Sequence, residues 1–398
     1  MLLILNILEL GLISGTAIYT SLNILLGIEV LAAVSQGKHE LTSCQQSVSS
    51  FRVLIPAHNE ASGIEKTLKN LFLEVQMPEQ ICVVADNCTD NTATLARNLG
   101  VQVLERTDET RKGKGYALDF GLTHLAKVPP TVVVIVDADC QVKPGTLAKI
   151  VNQSLALNLP IQSVYHMALP SDPSPRDRVS AFAVTVKNRV RAGGLSRFGF
   201  PIPLAGTGMA FPWAALQEVN VASGHIAEDM KLGIDLAIAG YGPKLSTETL
   251  ITSNLPSNGT VATSQRTRWE HGHLQILTTY VPQLIKAAWQ QKRLSLLIMA
   301  LDLAIPPLAL WVIIGISLTL FAGILAIFAG TIWPLVFQGV ADLLLLISIL
   351  VAWGKWGGKD LPLLQLLAVP LYILWKIPIY FKFVLNPQST WIRTERDQ

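Results

Sequence analysis

Apolar residues run almost unbroken at both ends of the chain and are rationed between them, so the pattern alone divides it into three pieces. The first piece, Leu2 to Val34, is interrupted chiefly by Asn6, Glu9, Asn23 and Glu29. Leu10 to Ile28 supplies the roughly 20 mostly apolar residues that a membrane-crossing helix needs. No Lys or Arg precedes it, and the first to follow are Lys38 and Arg52. A signal peptide would carry its basic residues in front, so the pattern predicts an anchor, with the N-terminus outside and the following domain in the cytoplasm.

The second piece alternates short β-branched runs with helical stretches. Phe51–Ile55, Ile81–Ala85, Val101–Leu104 and Thr131–Val136 read as strands. Ala61–Val75, Thr92–Leu99 (closed by Gly100) and Tyr116–Ala126 read as helices. This alternation predicts βαβ units and a parallel sheet covered by helices on both faces. Thr131–Val136 is apolar almost throughout, as a strand buried on both faces should be.

The third piece follows the basic segment Lys286–Arg293. Leu294–Phe328 predicts one span with an interfacial lead-in holding Asp302, Pro306 and Pro307, and Trp333–Trp353 predicts a second. Lys355 and Lys359 favour a cytoplasmic return. Leu361–Val384 is apolar too, but Pro362, Pro370, Lys376 and Pro378 interrupt it. An interfacial or re-entrant segment is expected there, with Arg393 and Arg396 of the tail in the cytoplasm.

Composition agrees with this division. Of 398 residues, 50% are hydrophobic and 15% charged, against roughly 25% charged in a soluble globular chain. A net charge of +3 gives no ground for a nucleic-acid partner. Cys44, Cys82, Cys88 and Cys140 form no C-x-x-C pair, so neither zinc nor a disulfide framework is expected.

Ligands of parallel sheets bind beyond the carboxyl ends of the strands, and there three predicted strands turn polar. One runs into Pro56-Ala-His-Asn-Glu60, the next into Asp86-Asn-Cys-Thr-Asp90, the third into Asp137-Ala-Asp139. A strand-end Asp often caps the next helix, the favoured reading for Asp90. Glu60, Asp86, Asp137 and Asp139 together line one crevice. Where a strand gives way to a loop, an Asp-x-Asp pair can turn both carboxylates to one hard cation such as Mg²⁺.

Farther on, Glu228 and Asp229 open a helix whose Leu232, Leu236 and Ala239 repeat at helical spacing. They fit either a helix N-terminus or a general base. In Gln265-Arg-Thr-Arg268-Trp269, Arg268 can fork onto phosphate oxygens, Gln265 shares its face, and Trp269 offers a flat platform or an interfacial anchor. Lys114 opens a helix and can reach a phosphate, although Arg111-Lys-Gly-Lys-Gly lacks P-loop spacing. Gly206-Thr-Gly fits close backbone approach to a substrate or a plain tight turn.

Taken in order, Pro56-Ala-His-Asn-Glu60, Asp86 to Asp90, Gly113-Lys114, Asp137-Ala-Asp139, Glu228-Asp229 and Gln265-x-x-Arg268-Trp269 resemble family 2 glycosyltransferases over residues 50–290. The branch resembled is the membrane-integrated one of cellulose, hyaluronan and chitin-oligosaccharide synthases. The resemblance implies an α/β GT-A fold with a mostly parallel sheet. It implies inverting transfer from a nucleotide-sugar, a UDP-sugar or similar donor, to a polysaccharide or oligosaccharide acceptor. By position, Glu60, Asp86, Lys114, Asp137, Gln265 and Arg268 would bind the donor, and Asp139 with Asp137 would hold Mg²⁺ or Mn²⁺. Asp229 would be the base with Glu228 beside it, and Trp269 would receive the acceptor.

The expected organisation is an anchor (1–36), a cytoplasmic catalytic domain (50–290), a membrane region (294–385) and a cytoplasmic tail (386–398), multi-pass in the cell's inner membrane. Trp391 to Arg396 also looks like a cytoplasmic feature of this branch. Few spans argue against secretion of a long polymer through one copy. That leaves short-chain extension, a lipid-linked acceptor (the alternative being a glycolipid synthase that transfers one sugar to a lipid), or a partner subunit that completes the channel, with a homo-oligomer as a further alternative. A non-catalytic scaffold or transporter subunit is the remaining alternative. No expected acid is missing, and Glu9, Glu29, Asp302 and Asp342 lie mostly at predicted span ends.

Overall fold

A computed structural model describes residues 2–35, 50–256 and 259–388, with side chains from residue 7 onward. Lys38, Cys44 and the tail Trp391–Arg396 lie outside the described residues.

The predicted strands form, within two residues of the expected ends: β1 (Phe51–Ala57), β2 (Ile81–Asp86), β3 (Gln102–Arg106) and β4 (Val132–Ile135). Four more, β5 (Gln141–Val142), β6 (Ile161–Ala168), β7 (Met209–Pro212) and β8 (Lys244–Asn254), complete a sheet ordered β3-β2-β1-β4-β7-β6-β8-β5. The β3-β2-β1-β4 half is parallel throughout. The other half is mixed, because β7 runs antiparallel to both β4 and β6 while β8 runs parallel to β6. Val132 to Ile135 are fully buried, as their unbroken apolar run requires.

After the N-terminal helix α1 (Leu2–Val34), helices α2 (Ile64–Leu71), α3 (Thr92–Asn98), α4 (Lys114–Leu125), α5 (Thr146–Leu157), α6 (Pro175–Thr185), α7 (Ala192–Arg197), α8 (Trp213–Gln217) and α9 (Glu228–Ile238) surround the sheet. Ile64, Leu68, Leu147 and Ile150 cover one face of β1 and β4, and Ala117, Leu118, Leu232 and Leu236 cover the other. Strand order reverses between β1, whose successors lie on one side, and β4 on the other. Such a switch point leaves a crevice at the strand ends.

Then follow α10 (Gly259–Gln275), α11 (Val281–Gln291), α12 (Leu294–Ala304), α13 (Leu308–Ala329), α14 (Trp333–Ala352) and α15 (Val369–Leu385). The expected lead-in is α12, set off from α13 by Pro306 and Pro307. Among the described residues, four helical stretches are long and apolar enough to cross a membrane: Ile7–Val34, Leu308–Ala329, Trp333–Gly357 and Leu363–Leu385. The last is where an interfacial or re-entrant segment was expected, and it is helical despite its prolines. Pro370 sits in the first turn, where a missing N–H costs nothing, and Pro378 alone falls in the interior.

α1, α13 and α14 share a polar spine. Trp311 Nε1 donates to Asn23 Oδ1 (2.7 Å), Asn23 Nδ2 to the Ala341 carbonyl (3.0 Å) and Thr16 Oγ1 to Gln338 Oε1 (3.0 Å). Asp342 departs from expectation, since it lies midway along α14 rather than at an end. Its carboxylate accepts from Thr319 Oγ1 and from Gln338 Nε2 (3.2 Å), donors that make a mid-helix acid tolerable among apolar helices.

Candidate active site

The loops after β1 and β2 lock together. Asn59 and Asn87 both adopt left-handed backbone (φ 54° and 50°), which Asn tolerates better than most residues. Thr89 N donates to Asn59 Oδ1 (2.7 Å). Asp90 accepts from Thr92 N and from Ala61 N (both 3.0 Å), so it meets the first N–H of α3 from the residue before the N-cap, Asn91, rather than as the N-cap expected, and ties the two loops. Glu60 is buried behind them, its N–H donating to Thr92 Oγ1 (2.7 Å).

Asp86 is buried at the end of β2, and its Oδ1 accepts from Arg106 Nη1 (2.5 Å) and Asn87 Nδ2 (3.1 Å). Arg106 escaped the sequence reading because it lies 20 residues away and becomes the neighbour of Asp86 only through the β2–β3 register. Its other amine reaches Asp108 (3.1 Å) and the Arg111 carbonyl (2.7 Å), which pins the loop leading into α4.

Asp137 and Asp139 follow β4. Lys114 Nζ, from the first turn of α4, donates to Asp137 Oδ1 and to the Gly206 carbonyl (2.7 Å). Burial alone would lower the pKa of this ammonium, but Asp137, Glu228 and Asp229 outweigh it and hold the value above the ordinary one. Thr207 Oγ1 accepts from Asp137 N (3.0 Å). Gly206 has φ +93°, and a Cβ there would stand 3.1 Å from Asp229 Oδ2, so both backbone and space call for glycine.

Ligand atoms of Asp137, Asp139 and Cys140 lie within 4.8 Å of one another. Burial holds the Cys140 thiol well above its usual range, and its sulfur sits 3.5 Å from Asp139 Oδ1, a neutral neighbour rather than a thiolate ligand. The donor set that remains is carboxylate oxygen. That suits Mg²⁺ or Mn²⁺ and does not suit a thiophilic ion. Asp137 already serves Lys114, so Asp139 is the more available ligand.

Glu228 and Asp229 occupy the first turn of α9. Burial, and then the adjacent Asp229, push Glu228 up to about 7. A carboxyl raised above its ordinary 4.5 keeps in the fold a proton that the unfolded chain has released. Its stabilising contribution is complete below about 4.5 and is lost as pH rises through about 7. The difference in Tm between wild type and Glu228→Gln should therefore change across that interval and level off on either side. Parallel Tm–pH curves would contradict the shift.

The Gln265–Trp269 stretch lies on α10. Gln265, Arg268 and Trp269 line one cavity of about 300 Å³ together with Lys114, Asp137, Asp139, Glu228 and Asp229. Gln265 Oε1 is buried without a hydrogen-bond partner among the described residues. Trp269 packs against the small apolar cluster of Met167, Ala181 and Leu255. The adjoining Arg266 and Glu270 border the same cavity and are tied to other side chains. Arg266 bonds Ser180 Oγ (3.0 Å) and Asp177 Oδ1 (2.9 Å), while Glu270 accepts from Lys376 and from Tyr380 (3.0 Å) of α15. Eight of the ten predicted site residues thus border one cavity, and Glu60 and Asp86 stand outside that lining at the ends of the neighbouring strands. Sequence reasoning missed Lys187, which also borders it from a π-helical turn (Val186–Arg191), a local irregularity that periodicity does not announce.

The family model described as "Glycosyl transferase family group 2" matches residues 132–357, and "Glycosyl transferase family 2" matches residues 52–178. An uncharacterized protein of Methanocaldococcus jannaschii is 35% identical over 103 residues, 26% of this chain and 41% of that protein. The 4,4'-diaponeurosporenoate glycosyltransferase of Staphylococcus aureus is 33% identical over 93 residues, 23% of this chain and 24% of the enzyme. The chain thus spans less than half the length of either relative. A solved mannosyltransferase of Pyrobaculum calidifontis, in complex with GDP-mannose and Mn²⁺, superposes with a TM-score of 0.54 at 18% identity. The match covers 96% of this chain and all of that one, and the shared fold is the GT-A-like α/β arrangement.

Proposed function

The chain belongs to glycosyl transferase family group 2, and on that premise we propose that it is a metal-dependent, inverting glycosyltransferase working at a membrane surface. The observation that carries the reading is the single cavity joining Lys114 and the Asp137/Asp139 pair to Glu228/Asp229 and to Gln265, Arg268 and Trp269.

In this reading a nucleotide-sugar, UDP-sugar by the sequence resemblance, lies with its base toward Glu60 and Asp86. Lys114, Gln265 and Arg268 hold its diphosphate. Asp139, with Asp137, would bind Mg²⁺ or Mn²⁺, which when present offsets charge on the departing diphosphate. Asp229 accepts the proton of the acceptor hydroxyl as its oxygen attacks the sugar C1 opposite the leaving group. One in-line displacement inverts the anomeric centre, so no protein nucleophile is needed.

The proposed setting is multi-pass in the cell's inner membrane with residues 50–290 cytoplasmic, α1 as anchor, and α13–α14 as a hairpin. Contacts of α15 with the catalytic domain support an interfacial position rather than a third C-terminal crossing. Besides the Glu270 bonds, His271 Nε2 meets the Ile379 carbonyl (3.0 Å), and Gln275 Nε2 donates to the Gln388 carbonyl (2.7 Å). A helix held along its length by a water-soluble domain keeps the tail on that domain's side.

Nucleoside diphosphate release, measured on membranes given a panel of nucleotide-sugars with Mn²⁺ or Mg²⁺, tests the proposal. Chelation should abolish release, and Asp139→Ala should raise the metal concentration required by about tenfold or more. Release that ignores both chelator and substitution would sink the metal-dependent reading.

A further inference from the structure

The cavity does not stop at Trp269. Part of its wall is apolar: Leu26 of α1, Ile305 and Pro307 before α13, Leu308 in its first turn and Tyr372 of α15, joined by Val184 of α6 from the catalytic domain, while Asn188, Arg266, Glu270 and Lys376 add polar groups to the same lining. Leu26 lies near the end of α1 that leads into the catalytic domain, and Leu308 begins α13. The apolar end therefore sits at the depth where two spans enter the bilayer, continuous with the carboxylates of α9. α1, α13 and α14 leave no passage for a polymer among the described residues, because Tyr19, Trp311, Ala341 and Leu345 fill the space they share.

We propose that the acceptor is a neutral, hydroxyl-bearing lipid that enters sideways from the bilayer, its chain against Leu26, Val184 and Leu308 and its hydroxyl between Lys187 and Asp229. This rests on the glycosyltransferase reading above and names its acceptor class. Lys187 marks the change from apolar to polar. Its hydrogen-bond contact among the described residues is the Met230 sulfur at 3.7 Å, a weak acceptor that an acceptor oxygen would improve on. Burial lowers the pKa of this ammonium while Asp229 works against the shift, which puts Lys187 within electrostatic reach of the base. A base at Asp229 needs a protonated oxygen to act on, which a hydroxyl of a sugar or an alcohol supplies and an ionised carboxylate does not. The step balances: the acceptor O–C1 bond forms, the bond from C1 to the diphosphate oxygen breaks, the hydroxyl proton goes to Asp229, and the nucleoside diphosphate leaves with the electron pair.

The test uses the full-length protein in lipid nanodiscs. Methyl, octyl and hexadecyl glucosides, a soluble gluco-oligosaccharide and hexadecanoic acid are offered as acceptors with the donor panel. The kcat/KM ratio of hexadecyl to methyl glucoside should exceed tenfold, given roughly 0.8 kcal/mol for each buried methylene. Val184→Trp or Leu308→Trp should cut that ratio about tenfold, a change that partition into the bilayer cannot mimic. Because such variants can misfold, the unaltered protein is also irradiated with a diazirine-bearing hexadecyl glucoside and the adducts are mapped. Adducts at Leu26, Val184 or residues 305–309 support the portal, and this readout needs no turnover. Adducts confined to outward-facing residues such as Leu320, or equal use of methyl and hexadecyl glucosides, would overturn it. So would transfer to hexadecanoic acid or the oligosaccharide in preference to alkyl glucosides. Absence of diphosphate release from every donor would instead count against the glycosyltransferase reading itself.

Discussion

Asp229→Asn should lower kcat for sugar transfer by about 10²–10⁴-fold, the usual worth of a positioned general base, while leaving nucleotide affinity near its wild-type value. The substitution keeps shape and hydrogen-bonding capacity but removes the proton acceptor. It is also well chosen sterically, since Asn has the shape of Asp beside Gly206, where even an added Cβ would stand 3.1 Å from Asp229 Oδ2. The neighbouring carboxylate makes the experiment discriminating. Glu228, raised to about 7, is largely protonated at mildly acidic pH and is the poorer proton acceptor there. Steady-state kinetics of Asp229→Asn and Glu228→Gln, with calorimetric titration of the nucleoside diphosphate, separate the two. A near-normal kcat in Asp229→Asn with a collapse in Glu228→Gln would move the base by one residue. Loss of nucleotide binding in Asp229→Asn would instead make that carboxylate part of the donor site.

How much of this was legible beforehand depended on whether the physics was local. The strands β1 to β4 were readable because their apolar runs are bounded by turn chemistry, and the GT-A expectation rested on motifs that recur in fixed order. The mixed half of the sheet was not readable, since the direction of β7 is set by which edge it meets and its four residues carry no sign of that. Asp137 and Asp139 were visible at a strand end, but the prior claim of Lys114 on Asp137 needed the third dimension. Likewise Arg106 is an unremarkable strand residue until registry sets it beside Asp86. Leu363–Leu385 shows the opposite limit: prolines and a lysine counted against a complete further span, yet Lys376 is buried because Glu270, more than 100 residues away, receives it.

The same long-range logic makes Asp302 the residue on whose removal the fold should suffer most. Arg191, buried behind the cavity, donates from Nε (3.0 Å) and Nη2 (2.7 Å) to Asp302 Oδ1, with Glu29 of α1 at 3.7 Å. Three pieces of chain meet there: the N-terminal helix, the catalytic domain and α12. α1 comes so close that a Cβ on Gly194 would fall 2.2 Å from the Glu29 carbonyl oxygen. Asp302→Ala removes the hydrogen-bonded partner of the buried Arg191 and leaves it only the more distant Glu29, which should cost about 3 kcal/mol, read as a lowered Tm in detergent. Replacing both partners, as Arg191→Met with Asp302→Leu, should recover most of the loss, because a well-packed apolar pair avoids the desolvation of two ions. That recovery separates the charge from mere shape. If Asp302→Ala melts like wild type, the ion pair is not what joins the anchor to the catalytic domain, and the α1–α7 packing around Gly194 must do so alone. If the double variant is as unstable as the single one, the bonds of Asp302 to Arg191 matter for geometry that no apolar pair reproduces.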